Sequence, residues 1–260
     1  MDWDAPAIIL DARPYGEADA IATVMTETHG AHRGLARGAQ SRSRAALWQQ
    51  GNMVQVRWVG RLSDQLGSFS AELIHPAAAM VLDDALALSM LTAVCATAEG
   101  ALPERQAFPI VFDGLLHLLA RLPQAERQMA ELIRWEMQLL RDLGYGLDFS
   151  VCAVTGATEN LTHVSPRTGR AVCEEAAGMW KERLLPLPAF LRHGNGEPGS
   201  APEWADGLRL TGHFMARDVF GLQHKALPAA RVALYERVMK KSKAGLCPDP
   251  PGAKPLDLKI

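Results

Sequence analysis

Two hydrophobic periods divide the chain. Up to about residue 78, apolar and polar positions alternate in short runs; beyond it, apolar residues recur at three- and four-residue steps. The alternation is clearest in Met53–Gly60, where Val54, Val56 and Trp58 share one face and Arg57 points to the other. Five such runs, Ala7–Arg13, Ala18–Glu27, Arg33–Ala39, Met53–Gly60 and Phe69–His75, predict five strands, with Gly16, Gly30, Gly51 and Gly67 at the breaks. Five short strands in so short a stretch suit a small barrel of OB type, an SH3-like barrel or an open sheet.

After His75-Pro76 the pattern predicts helices. Ala77–Ala98 is rich in Ala, Leu and Met. Gln106–Arg121 carries leucines at helical spacing. In Gln124–Leu143, positions 132, 136, 139, 140 and 143 fall on one face and Gly144 ends the run. Tyr145–Ala176 reads as irregular, and Leu184–Gly199 as a Pro/Gly loop. Ser200-Ala-Pro-Glu203 is a capping box that opens a helix towards Gly221, and a further helix spans about Pro228–Lys241. The fold class expected is α+β: a five-stranded OB-type barrel over residues 1–78, a mainly helical domain over 79–241, and a disordered tail over 242–260.

Composition narrows the function classes. A net charge of −2 excludes a polycation, so a nucleic-acid surface has to be local. The charges are unevenly spread. Between Thr28 and Ser63 there is no Asp or Glu but there are Arg33, Arg37, Arg42, Arg44, Arg57 and Arg61. Guanidinium groups offer phosphate a planar fork of donors, so this stretch is the candidate DNA-binding face. Arg37, Arg42 and Arg44 come first as phosphate contacts, Arg33, Arg57 and Arg61 second. Trp58 belongs to the core by its parity with Val54 and Val56; Trp48, in the Arg-rich loop, is the candidate for stacking on bases. A solvated domain with a chance run of Arg is the plainer alternative.

No catalytic signature appears: no HExxH, no GxSxG, and no Walker A lysine, the first Lys being Lys181. Gly194–Gly199 has the spelling GxGxxG but follows a Pro-rich loop and contains Pro198, so it reads as a linker. Cys95, Cys152, Cys173 and Cys247 are too widely spaced for a disulfide framework, and the acidic N-terminus is no signal peptide. A reduced, cytoplasmic protein without a membrane span is expected. Around Cys152 and Cys173, a four-Cys zinc ribbon would need Cys at positions 155 and 176 too, where Thr155 and Ala176 stand. The segment 150–178 is therefore read as a degenerate zinc-ribbon-like knuckle, with no metal and no cofactor.

Several motifs, taken in order, resemble the bacterial RecO family. They are Ile8-Ile9-Leu10, Tyr15-Gly16-Glu17, Thr28-His29-Gly30, Ala36–Arg42, Leu47–Gly51, Leu66-Gly67 and Glu72, then Arg134-Trp135-Glu136, the leucines to Leu140, Leu143-Gly144-Tyr145 and Cys152. The resemblance covers about residues 1–240. It implies an OB-fold, a helical domain and, in some members, a zinc site, from which this sequence departs. It implies no catalytic residues and no enzyme. It implies a DNA repair and recombination mediator that binds and anneals single- and double-stranded DNA, near the nucleoid. The partners implied are RecR and the C-terminal tail of single-stranded DNA-binding protein (SSB), with RecA loaded on SSB-coated strands.

The SSB tail is acidic and ends in an apolar residue, so its receptor needs cations around an apolar hollow. Arg127, Arg134 and Arg141, seven residues apart on one predicted helix, are the candidates, with Arg134 first because it matches the family pattern. A solvated stripe balanced by Glu126, Glu131 and Glu136 is the alternative. Two rival functions stand beside this reading: a protein adaptor that never touches DNA, and an enzyme assembled from distant residues such as His29, Asp64 and Glu72.

Overall fold

The computed structural model describes residues 1–61, 66–192 and 198–245. Five strands, β1 (Asp2–Tyr15), β2 (Asp19–Thr26), β3 (Gly30–Ala36), β4 (Met53–Val59) and β5 (Gly67–His75), close into a barrel in the order β1-β2-β3-β5-β4. All pairs are antiparallel except β3 with β5, which meet in a short parallel register, Gly34 opposite Gly67 and Ala36 opposite Phe69. Glycine is needed at that seam: a Cβ on Gly67 would lie 2.3 Å from the Trp58 ring, and one on Gly34 2.7 Å from the Phe69 ring. Strand β1 starts five residues before the expected Ala7. It pairs with β4 along its first half and with β2 along its second, and a bulge between Ile9 and Asp11 lets it turn the corner. Ala7, Ile9, Ala22, Val24, Val54, Val56 and Trp58 fill the barrel; β4 buries strictly alternate positions, whereas β1 and β2 also bury their outer face around Ile8, Leu10 and Met25.

The helical part begins with a break. The stretch expected to run from Ala77 to Ala98 splits into α1 (Ala77–Met80) and α2 (Ala85–Ala101), because Asp84 stops at an extended backbone and caps α2 with its carboxylate, accepting from the Leu86 and Ala87 N–H groups at 2.8 and 3.0 Å. Helices α3 (Pro109–Arg121) and α4 (Ala125–Asp142) follow, as expected. The region read as irregular holds a small sheet, β6 (Leu161–Val164) between β7 (Ala171–Cys173) and β8 (Leu185–Pro186), with the one-turn helices α5 (Glu174–Ala177) and α6 (Ala189–Arg192) nearby. Strands of two to four residues are too short to show a period. The Ser200 capping box is present and opens α7 (Ala201–Phe214), which widens into a π-helical turn at Met215–Phe220. The last helix, α8 (Ala229–Gly245), runs past the expected Lys241, so residues 242–245 are helical rather than tail; residues 246–260 lie outside the described residues.

Helix α8 packs on α2 and α7, α4 packs on α3 and α7, and α2 also touches β1, so the barrel's Ile8, Leu10 and Met25 share a core with the helices. Inside this core lies a buried ion pair. Arg231 of α8 meets both carboxylate oxygens of Glu136 of α4 and donates to the Leu208 carbonyl of α7 at 2.8 Å, while the Thr211 hydroxyl also donates to Glu136. Among the described residues, no helix is long and apolar enough to cross a membrane.

Candidate nucleic-acid interface

The loop from Arg37 to Asn52 is held against the turn between β1 and β2. Gly38 N–H donates to the Asp19 carboxylate at 2.7 Å and Gln40 N–H to the Ala18 carbonyl at 2.9 Å. Arg37, Arg42 and Arg44 ride on this loop with exposed side chains, and Arg44 reaches back to the Arg37 carbonyl at 3.3 Å. Among the described residues, none of the three pairs with a carboxylate. One pole of the barrel therefore presents three guanidinium groups whose charge faces solvent.

The other expected residues separate. Arg33 lies on β3 between Glu104 at 3.1 Å and Glu99 at 3.4 Å, so its charge is spent where the barrel meets the helices. Arg57 pairs with Asp2 at 2.9 Å on the wall of the barrel. Arg61 is exposed just past β4. Trp48 corrects the reading: it is 6% exposed and packs 6.3 Å from the Phe69 ring, closing the barrel end from inside. A loop residue has no strand period to reveal which way it points, and an indole that can reach an apolar barrel mouth gains most by filling it.

At the opposite pole, Trp3 stacks on His29 at 4.4 Å and lies 6.1 Å from Trp58. His32 sits edge-on to both Trp3 and Trp58, with neither ring nitrogen bonded among the described residues. Burial first, and the Arg105 charge second, push its pKa down to about 4, so the ring is neutral near pH 7. His29 lies in the turn between β2 and β3 and Glu72 on β5, and among the described residues neither belongs to a group of three or more His, Cys, Asp or Glu side chains that could hold a metal ion; Asp64, the third member of the rival enzyme site, lies outside the described residues, as do residues 194–197 of the GxGxxG stretch.

Helix α4 builds a second surface. Arg134 and Arg141 line a groove of about 460 Å³ together with Arg192 of α6, over a floor that includes Met137, Leu147, Phe149 and Phe190. Arg134 is held in place: it donates to the Phe190 carbonyl at 3.0 Å, lies 5.4 Å over the Phe190 ring and pairs with Glu131 at 2.5 Å. Asp148 on the rim accepts from Ser150 at 2.5 Å and faces Arg170 at 3.7 Å. Arg127, the third residue of the expected stripe, does not line the groove. Arg192 takes its place; it came from a stretch read as loop, and no spacing rule links it to α4. The expected balance by near neighbours holds for Glu131 alone, since Glu126 pairs with Lys241 of α8 and Glu136 is buried against Arg231.

In the knuckle, the Cys152 sulfur accepts the Cys173 N–H at 3.3 Å and the Thr155 N–H at 3.5 Å, and the Thr155 hydroxyl lies 3.5 Å from the Cys173 sulfur. Burial opposes the Cys152 thiolate, but the hydrogen bonds from Thr155, Cys173 and Val154 outweigh it and bring the thiol down to about 6. His163 is turned to Thr162, 2.8 Å away, and Ala176 offers no donor. Two sulfurs and a hydroxyl already engaged do not fit a four-ligand zinc site.

Comparison with known proteins agrees with both halves. The family model described as "Recombination protein O N terminal" matches residues 1–77 and the one described as "Recombination protein O C terminal" matches residues 82–228. A protein named DNA repair protein RecO from Granulibacter bethesdensis is 57% identical over 240 residues, covering 92% of this chain and 96% of the relative. Its namesakes from Acidiphilium cryptum and Rhodospirillum rubrum are 52% identical over 243 residues and 42% over 249, covering 93% and 94% of this chain and 97% and 99% of theirs.

Proposed function

Since the chain belongs to the recombination protein O (RecO) family, we propose that it is a non-catalytic DNA repair protein that binds and anneals DNA and, with RecR, helps load RecA on SSB-coated single strands, working in the cytoplasm beside the nucleoid. The observation that carries the DNA half is the barrel pole with Arg37, Arg42 and Arg44 exposed and unpaired with any carboxylate among the described residues. Three cations fixed to one loop offer a phosphate chain a continuous track without reading base edges.

The groove on α4 supports the SSB half. Its rim of Arg134, Arg141 and Arg192 suits acidic side chains and a terminal carboxylate, and its apolar floor suits the last side chain of the tail. The test is annealing of complementary strands coated with SSB. The protein accelerates annealing, and Arg141→Glu or Arg134→Glu removes the acceleration on SSB-coated strands while leaving it on bare strands. Acceleration unchanged by either reversal, or by deleting the SSB tail, would overturn the groove's role.

Metal has no part in this reading, because the knuckle's donors are two thiols. Elemental analysis of the purified chain finding one zinc per molecule would contradict that. A pure protein adaptor is the other reading. The exposed apolar side chains Leu73, Ile74, Met80 and Leu82, near the seam of barrel and helices, are what favours it, but it leaves the Arg pole without a role.

A further inference from the structure

With Trp48 inside the barrel, the Arg pole still carries an exposed ring. Tyr15, the last residue of β1, is 56% exposed. It stands opposite Asp19 in the β1–β2 ladder, and Ala20 stands opposite Ala36 in the β2–β3 ladder, so the next step along that register sets Arg37 beside Asp19. Tyr15, Asp19 and Arg37 thus follow one another across three neighbouring strands. The Asp19 carboxylate is engaged by the Gly38 N–H, which fixes the loop bearing Arg37, Arg42 and Arg44 to the turn bearing Tyr15. Half-buried Ile21 and Leu35, paired across β2 and β3, continue the same outer face. A ring, two aliphatic side chains and the guanidinium groups therefore share one end of the barrel, and the strand 2–3 face is where OB barrels take oligonucleotides.

We propose that Tyr15 is the base-stacking residue of this surface, so that the pole takes strands with unpaired bases in preference to a duplex or to a bare sugar-phosphate chain. The inference rests on the DNA-binding reading above and adds its ligand class. Guanidinium groups alone do not distinguish these ligands, since all carry phosphate. An exposed phenol does: an unpaired base has a free π-face to lay on it, whereas in a duplex the faces are covered by neighbouring pairs.

The test compares three labelled probes by fluorescence anisotropy: oligothymidylate, a strand of abasic sites of equal length, and a duplex. Tyr15→Ala weakens oligothymidylate binding by about fivefold to a hundredfold and leaves the abasic strand and the duplex unchanged, while Tyr15→Phe keeps wild-type affinity for all three. An unchanged affinity of Tyr15→Ala for oligothymidylate, or an equal loss on the abasic strand, overturns the stacking role while the Arg pole stands. A wild-type protein that binds none of the three overturns the DNA reading and this inference together.

Discussion

Replacing Arg231 with Ala lowers the unfolding free energy by about 3–5 kcal/mol, read as the shift in a denaturant midpoint. The Arg231 side chain is 2% exposed and its partner Glu136 is fully buried. Removing the guanidinium leaves a carboxylate in the helical core with the Thr211 hydroxyl as its one remaining donor among the described residues, and takes from the Leu208 carbonyl the hydrogen bond at 2.8 Å. The pair also ties three helices, α4, α7 and α8, so its loss is felt where they meet. The charge left behind causes the damage, so a double replacement, Arg231→Met with Glu136→Leu, recovers most of the loss. A single variant that loses under about 1 kcal/mol would mean that water or a shifted side chain reaches Glu136.

Replacing Arg37, Arg42 and Arg44 together with Ala removes about two units from the slope of log affinity against log salt for a single strand, since each phosphate contact contributes roughly 0.7. The folded state is expected to survive, because all three side chains are exposed and the loop is held mainly by backbone bonds and by Asp19, the Arg44 guanidinium adding one exposed hydrogen bond to the Arg37 carbonyl. Arg33 and Arg57 are expected to matter less. Each already faces a carboxylate, and a phosphate would have to displace Glu104 or Asp2 to use it. Replacing these two therefore changes the slope by less than any two of the loop arginines.

The barrel was legible because its pattern alternates where it is clearest: Val54, Val56 and Trp58 declared one inner face, Gly16 and Gly51 marked turns, and Gly30 and Gly67 marked the first residues of β3 and β5. The long helices were legible by their leucines, and position 136 was placed on the inner face of α4 by its spacing alone. Its charge partner was not, because Arg231 comes from a helix far along the chain and only packing brings them together. The groove was half legible. The seven-residue spacing found Arg134 and Arg141 but also offered Arg127, and it gave no sign of Arg192, which a one-turn helix delivers from another part of the fold. Trp48 was misread for a local reason: outside strands and helices, no period tells inside from outside. The exposure of Tyr15 was hidden by the bulge after Ile9, which resets the parity of β1 before the strand ends.

If the barrel pole binds phosphate, a salt titration of labelled oligothymidylate binding, with wild type beside the triple variant, shows it without any partner protein. Affinity is expected to fall steeply with salt in the wild type and distinctly less steeply once Arg37, Arg42 and Arg44 are gone. A flat wild-type response, or a triple variant with the wild-type slope, would contradict it.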